Sequence, residues 1–230
     1  MSSLKGHFLN VFGGSFLPKA TVRVVEDIGG HYRRLVLSTS VRKEGAYQPG
    51  DKIQLLLPSL DVRTYTPVGW TAGGETEILV FRHSSTSPAG AWVADVKVGD
   101  SFSFAGPQRS LNIPTGPVLL VGDETSIAVA AAYARHRPGL VALILEVEEE
   151  EAAFQASTAL GLTQPRLVRR GVEGVLSAAI LESWGASPQV SVGLTGSGSL
   201  VQRAREVLRE HSGPAPRIKA YWVPGKVGLD

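Results

Sequence analysis

An arginine, a tyrosine and two threonines stand close together in the segment VRTYTP, within a run of residues typical of a β-strand. Side chains alternate between the two faces of a strand, so Arg63 and Tyr65 should share one face and Thr64 and Thr66 the other. A fixed cation, an aromatic ring and small hydroxyls at this spacing suit a flat, phosphorylated ligand. A surface cation beside an ordinary strand tyrosine is the alternative interpretation.

A second signal for an anion lies in the segment SPAGAWVADV, residues 87–96. Pro88 and the small residues after it favour the start of one short helix. The free N–H groups at a helix start attract phosphate. Two features that suit phosphate therefore fall within the same β-rich part of the chain.

Two strand-to-helix turns in the second half of the chain are candidates for nucleotide binding. The first is Gly122-Asp123-Glu124-Thr125-Ser126, and the second contains Gly193, Gly196 and Gly198. Ligands of open α/β sheets bind outside the carboxyl ends of strands, so both turns are placed to line one crevice. Neither matches G-x-G-x-x-G, and an ordinary turn, with Thr125 or Ser126 as the helix N-cap, is the alternative.

Several classes of chemistry are excluded or lack support. The chain has no cysteine, so it forms no disulfide, thiolate nucleophile or cysteine-ligated cluster. The 5 histidines show no metal-binding spacing, and no G-x-S-x-G elbow is present. A net charge of only +2 with scattered basic residues argues against nucleic acid. The acidic run at Glu146 and Glu148 to Glu151 suits a solvated strand end and the first turn of a helix.

The elements that must position these residues fall into two groups. Short β-type runs joined by glycine-rich turns fill residues 20–107 and predict an antiparallel barrel. After the segment GPQRSLNIPTGP, apolar strands alternate with helical patterns at 125–136, 174–183 and 198–211, which predicts a parallel sheet covered by helices. We expect a β-barrel domain over residues 1–112 and an α/β nucleotide-binding domain over 113–230.

With these motifs the sequence resembles the ferredoxin-reductase-like flavoproteins, and within them the siderophore-interacting proteins, from about residue 18 to 230. VRTYTP matches the R-x-Y-[ST] flavin motif. The resemblance implies that Arg63 pairs with the FAD pyrophosphate, that Tyr65 packs on the flavin and that the Thr66 hydroxyl approaches flavin N5. Tyr65 and Thr66 are thus the expected catalytic residues.

Other segments carry the same resemblance. FRHSSTSPAGAWV is similar to H-G-x-x-G-P-A-[SA]-x-W, AGPQRS to A-G-P-R-G-S, VGDETSIAVAA to A-G-D-E-T-A-L-P-A, and AYWVPGKVG to Y-W-R-x-G. By this resemblance Trp92 supports the flavin site. The implied cofactor-binding residues are Arg63, Tyr65, Thr66, His83, Ser87, Pro88, Ala89, Gly90, Gly122, Asp123, Glu124, Thr125, Gly196, Ser197, Tyr221 and Trp222.

The sequence departs from the family pattern at three places. Val68 stands where the second arginine of R-x-Y-T-x-R belongs, and Val223 replaces the arginine of Y-W-R. Thr195-Gly196-Ser197 replaces A-G-E before the last helix. The first two changes remove positive charge that would meet an anionic siderophore, and the third bears on nicotinamide-cofactor binding. Lys226 and Arg217 are candidates for residual positive charge near the acceptor.

The expected function is an FAD-dependent reductase that moves electrons from NADPH or NADH to ferric iron in a siderophore and releases Fe(II). The alternatives are a reductase serving a protein partner or a free ferric chelate, and a non-catalytic flavin-binding module. No membrane span or nucleic-acid partner is expected, and a cytoplasmic monomer is the working expectation. The choice between NADH and NADPH stays open, with Arg135, Arg137, Arg203 and Arg205 as candidate readers of the ribose.

Overall fold

The computed structural model describes residues 17–41, 47–82 and 88–223, together with the side chains of all of these except Pro88 and Ala89. His83, Ser87 and Lys226 lie outside the described residues. The chain folds as two compact units, Met1–Arg109 and Ser110–Asp230. Within the described ranges, no helix combines the length and the apolar character that crossing a membrane requires.

The first unit is a six-stranded antiparallel sheet in the order β4-β3-β6-β1-β2-β5. Its strands are β1 (Lys19–Ile28), β2 (Tyr32–Thr39), β3 (Lys52–Leu56), β4 (Val62–Tyr65), β5 (Glu75–Phe81) and β6 (Ser101–Gln108). One helix, α1 (Pro88–Asp95), precedes β6. Each strand coincides with a β-type run of the sequence, and burial alternates along β2 and β3, which gives these strands one buried face.

The two edge strands of this sheet are joined by the segment that follows β4. The backbone N–H of Val68 donates to the carbonyl of Glu77 in β5 over 2.8 Å. Trp70 forms a further antiparallel bridge with Thr76. This pairing draws β4 toward β5 and brings the sheet around an interior that holds Leu37 and Phe104, both almost fully buried.

The second unit is a five-stranded parallel sheet in the order β11-β10-β7-β8-β9. Its strands are β7 (Val118–Asp123), β8 (Val141–Val147), β9 (Arg166–Arg169), β10 (Ser191–Ser197) and β11 (Arg217–Trp222). Its helices are α2 (Ile127–His136), α3 (Glu150–Ala159), α4 (Val175–Gly185) and α5 (Gly198–Glu210). The predicted fold class, an antiparallel β unit followed by a parallel α/β unit, is confirmed.

The strand order of the second unit reverses between β7 and β10. The chain runs outward from β7 through β8 and β9, and then returns to place β10 on the other side of β7. Val121 of β7 lies opposite Leu194 of β10, so the turns after these strands meet at one edge. In an open α/β sheet this reversal point is where a ligand crevice forms.

Candidate functional site

In the first unit, strand β4 and helix α1 meet through two aromatic rings. Tyr65 lies opposite Ile53 of β3, on the strand face that packs against the core. Its ring centroid is 6.0 Å from that of Trp92 in α1, with the rings tilted. The R-x-Y-T strand and helix α1 are therefore brought together, because the strand tyrosine and the helix tryptophan share one apolar cluster.

Arg63 lies on the same strand face as Tyr65, opposite Leu55. Its guanidinium donates to the carbonyl of Val62 over 2.9 Å and lies 3.8 Å from the carboxylate of Asp61. The Arg63 side chain is 22% exposed, whereas that of Asp61 is only 8% exposed. An anion that binds Arg63 would therefore compete with a long and weak ion pair.

The hydroxyl group of Tyr65 stays protonated throughout the physiological pH range. Removal from water raises the pKa of Tyr65, and the positive charge of Arg63 opposes only part of that rise. Tyr65 therefore presents a neutral O–H donor beside a cation. Thr66 comes directly after the strand ends and is half-buried.

Helix α1 is fixed to the sheet at its carboxyl end. The guanidinium of Arg33 donates to the carbonyl of Val93 and, over 2.9 Å, to that of Ala94. The same side chain donates to Asp27 over 3.1 Å, and this hydrogen bond lowers the pKa of Asp27. The terminal carbonyls of the helix are thus satisfied, and the helix keeps a fixed position against the sheet.

Trp92 fits a role in supporting a bound aromatic group. It is 8% exposed, packs edge-on against Phe102 at 5.4 Å, and its indole N–H has no partner among the described residues. The ring also lines a cavity of about 420 Å³ between α1, the β3–β4 turn and the start of β6, and this cavity does not include Arg63, Tyr65 or Thr66. A cation on β4, the tyrosine ring beside it and a firmly held helix fit FAD.

Val68, which replaces the second arginine of the flavin motif, lies in the interior of the first unit. Its side chain is fully buried, at 0% exposure, and its backbone N–H takes part in the pairing with β5. A side chain at this position therefore packs in the core. The change from arginine to valine fits that buried environment, and the expected loss of substrate-facing charge does not apply at this position.

Restoring the family arginine should consequently destabilise the protein. In Val68→Arg, a guanidinium must enter a packed interior without a prepared partner, at a cost of about 2 kcal/mol or more. Urea unfolding followed by circular dichroism measures the change. Ala72→Arg is the matched control, because Ala72 is exposed in the turn before β5 and should tolerate the same side chain. Equal stability of the two variants would show that position 68 faces solvent.

In the second unit, Asp123 holds the edge of the sheet together. Its carboxylate is fully buried and accepts four hydrogen bonds. Two come from Thr125, through the backbone N–H at 3.0 Å and the hydroxyl at 2.5 Å. The other two come from the backbone N–H of Ser197 at 2.7 Å and the indole N–H of Trp222 at 2.9 Å. One carboxylate therefore connects the ends of β7, β10 and β11.

Two glycines allow this close arrangement. A Cβ on Gly196, whose φ is +96°, would lie 2.6 Å from the carboxylate carbon of Asp123. A Cβ on Gly122 would collide with Ser126 and approach the hydroxyl of Thr195 to 3.0 Å. Both positions thus require glycine because neighbouring turns pass so near to each other.

The sequence correctly indicated that the two turns lie together, but most of their polar atoms bond to one another. The Asp123, Thr125 and Trp222 groups named above are paired internally, and the Ser197 hydroxyl accepts from Leu200 N–H as the N-cap of α5. Ser126 occupies the N-cap position of α2 without a capping bond from its side chain. These groups build the crevice. The start of α5 remains the place at this edge best suited to a phosphate.

Glu124 belongs to a separate ion-pair network beside β8. Its carboxylate is 3% exposed, accepts from the backbone N–H of Glu148 over 2.9 Å and pairs with Arg170. Burial raises the pKa of Glu124, and the hydrogen bond from Glu148 opposes that rise. Arg170 also pairs with the Glu148 carboxylate at 2.9 Å. Glu124 therefore joins the segments that follow β8 and β9, and its carboxylate is bonded to Glu148 and Arg170 of the same chain.

Glu146 is a functional candidate that the motifs did not reveal. It is the second-last residue of strand β8, is only 5% exposed, and accepts from Arg203 over 2.6 Å. The available signal was a carboxylate inside the otherwise apolar run LVALILEVE. Of the arginines considered as ribose readers, Arg203 reaches this edge, whereas Arg137 donates to the carbonyls of Ile113 and Pro114 before β7.

Solved structures with a similar fold cover nearly the whole chain. A siderophore-interacting protein from Acinetobacter baumannii aligns with a TM-score of 0.70 and 18% identity, over 90% of this chain and 91% of that one. A siderophore utilization protein from T. fusca aligns with a TM-score of 0.69 and 19% identity, over 92% and 94%. The predicted resemblance to this structural group is confirmed.

A phthalate dioxygenase reductase, described as a modular structure for electron transfer from pyridine nucleotides to [2Fe-2S], has the same fold. It aligns with a TM-score of 0.71 and 15% identity, over 94% of this chain and 70% of that one. No protein-family model matches the sequence, and no curated protein matches it significantly. The comparisons thus establish a ferredoxin-reductase-like fold.

Proposed function

We propose that this protein is an FAD-dependent oxidoreductase that takes electrons from a reduced nicotinamide dinucleotide and delivers them to ferric iron in a chelate of the siderophore class. One observation carries the proposal: a single chain combines Arg63 and Tyr65 on one face of β4, with Tyr65 beside Trp92, and a parallel sheet whose strand order reverses at a glycine-lined edge. The solved structures of similar fold include siderophore-interacting proteins, which supports this acceptor.

FAD, when bound, would supply the redox chemistry by accepting a pair of electrons from the nicotinamide and releasing them singly. Arg63 would bind the pyrophosphate through charge-assisted hydrogen bonds. The Tyr65 ring would pack against the cofactor, and its neutral O–H would serve as a donor. Thr66 would offer a hydroxyl at the edge of the same surface.

In the second unit, Asp123 would keep the crevice in place for the nicotinamide dinucleotide by holding Ser197 and Trp222. With Ser197 as N-cap, the first N–H groups of α5 point toward the same edge and would bind a phosphate. Reduction of ferric iron weakens its hold on hard oxygen ligands, so Fe(II) leaves the chelate.

A second candidate acceptor is an iron-sulfur protein. The similarity to phthalate dioxygenase reductase favours it, because that protein is described as passing electrons from pyridine nucleotides to [2Fe-2S]. This chain contains no cysteine, so the cluster would have to belong to the partner. The two candidates share the flavin and nicotinamide steps and differ only in the acceptor.

The test starts from the visible spectrum of the purified protein supplied with FAD. Flavin absorbance near 450 nm that is retained through gel filtration and bleaches anaerobically with NADH or NADPH supports the oxidoreductase. Ferric hydroxamate and ferric catecholate chelates and an oxidised [2Fe-2S] ferredoxin are then compared as acceptors, with Fe(II) trapped by ferrozine. Retained flavin that neither nucleotide bleaches would instead indicate a flavin-binding module, and no retained flavin would overturn the proposal.

A further inference from the structure

A cavity of about 380 Å³ opens beside the carboxyl end of β8, between the start of α4 and the outer face of α5. Its lining includes Glu146 and Arg203, which are bonded to each other, and the segment 171–174 that leads into α4. This position is one strand away from β7, whose final turn begins the nucleotide edge. The cavity therefore includes residues at the carboxyl ends of β8 and β9, on the same edge of the sheet as the crevice in which the proposed function places the dinucleotide.

Glu146 is placed to hydrogen-bond a ribose. It stands 23 residues beyond Asp123 and lies opposite it in the ladder, one residue before the end of β8. In doubly wound folds, an acidic residue about 20 residues after the first turn accepts a hydrogen bond from the ribose 2′-hydroxyl. The side chain of Glu146 is 7% exposed, and only one of its oxygens is bonded to Arg203. An acceptor is thus held rigidly where a sugar hydroxyl would reach it.

The charge of the lining is strongly negative. It contains the four carboxylates of Glu146, Glu173, Glu206 and Glu210, and the single cation of Arg203. Arg203 is already paired with Glu146 at 2.6 Å. Arg170 donates to the backbone carbonyl of Glu146 over 3.2 Å, but its side chain does not line the cavity and its charge is paired with Glu124 and Glu148. A 2′-phosphate would carry about two further negative charges into this lining.

Resting on the proposed function, we infer that this cavity receives the adenosine ribose of the nicotinamide dinucleotide and selects NADH over NADPH, with Glu146 as the residue that determines the choice. A 2′-hydroxyl would donate to Glu146, whereas a 2′-phosphate would meet like charges. Because like-charge contacts cost several kcal/mol in a binding site, we expect the 2′-phosphorylated ligand to bind at least about 30-fold more weakly.

Titration calorimetry on the full chain tests this without turnover. The probes are adenosine 5′-diphosphate and its 2′-phosphorylated counterpart, followed by NAD⁺ and NADP⁺. We expect the unphosphorylated member of each pair to bind more tightly, and the ratio to shrink as salt rises from about 0.05 to 0.5 M, because salt screens the repulsion. Equal binding, or tighter binding of the 2′-phosphorylated probes, would overturn the inference.

Two variants assign the effect to the cavity. Glu146→Gln removes the negative charge that accepts the hydrogen bond and releases Arg203. The ratio by which the unphosphorylated probes bind more tightly than the 2′-phosphorylated ones should therefore fall about tenfold. Glu206→Lys changes an exposed residue of the lining and should strengthen binding of the 2′-phosphorylated probes without disturbing buried groups. Glu182→Gln is the control, because that side chain is 72% exposed, bonded to Arg166 and outside the lining. A preference unchanged in both cavity variants would also overturn the inference.

The outcome separates the two proposals. If NADPH and NADH bleach the flavin equally, the proposed oxidoreductase function stands and the inferred selectivity for NADH is wrong. If the protein binds none of the four probes and neither nucleotide bleaches the flavin, the proposed nicotinamide step itself is wrong.

Discussion

Replacing Arg63 by alanine should produce a folded protein that loses its FAD during gel filtration. The guanidinium is the cation of the β4 surface and is 22% exposed, so it is available to a phosphate. Charge-assisted hydrogen bonds from arginine to phosphate contribute about 1.5–3 kcal/mol each, so FAD should bind about 100-fold more weakly. Flavin fluorescence titration measures the dissociation constant directly.

Two further variants show whether the geometry of Arg63 or only its charge matters. Arg63→Lys keeps the charge without the planar fork, and its FAD affinity should fall between those of the wild type and the alanine variant. Arg23→Ala is the matched control, since Arg23 is an exposed arginine on β1 of the same unit. An unchanged FAD affinity in Arg63→Ala would remove the pyrophosphate role of this residue.

Replacing Asp123 by alanine should destabilise the second unit more than any exposed substitution in it. The change leaves the N–H groups of Ser197 and Thr125 and the indole of Trp222 without their shared acceptor. Unsatisfied buried donors cost about 1–3 kcal/mol each, so we expect a loss of about 3 kcal/mol or more. The urea midpoint should fall by more than about 1 M.

Two further variants test whether the effect depends on the negative charge of Asp123 and whether it is specific to this position. Asp123→Asn keeps the shape but turns an amide toward two donors, so its loss should be smaller than that of alanine and still clear. Glu149→Ala removes an exposed carboxylate whose side chain makes no capping bond before α3, and should change stability by less than about 0.5 kcal/mol. A neutral Asp123→Ala variant would show that this carboxylate does not join the strands.

The fold was predictable because it depends on local patterns. Alternating apolar residues specified β1 and β2, and the continuous apolar run of β7 specified a strand buried on both faces. Helix α3 was predicted only as a first turn, because its sequence EEAAFQASTA is largely small and polar with few apolar residues at helical spacing.

The candidate site was predictable only in part, because its polar groups are joined across long stretches of chain. The turns at Gly122 and Gly196 were correctly expected to meet. The sequence does not show that Asp123 accepts a hydrogen bond from Ser197, 74 residues away, and so supports the edge. Its contact with a cofactor stays a prediction. Likewise Val68 stands at a position of the motif that was expected to face a ligand. Only the structure shows that its side chain is buried and that its backbone pairs with Glu77.

The bond between Asp123 and Trp222 also has a consequence for how this protein folds during synthesis. Its two partners are 99 residues apart, so the nascent chain exposes a carboxylate without its final donor until the last strand has been translated. At about 5–20 residues per second, that interval lasts roughly 5–20 s. The bond between Asp123 and Trp222 therefore forms late, and a truncated message that stops before Trp222 would yield a chain in which Asp123 lacks this donor.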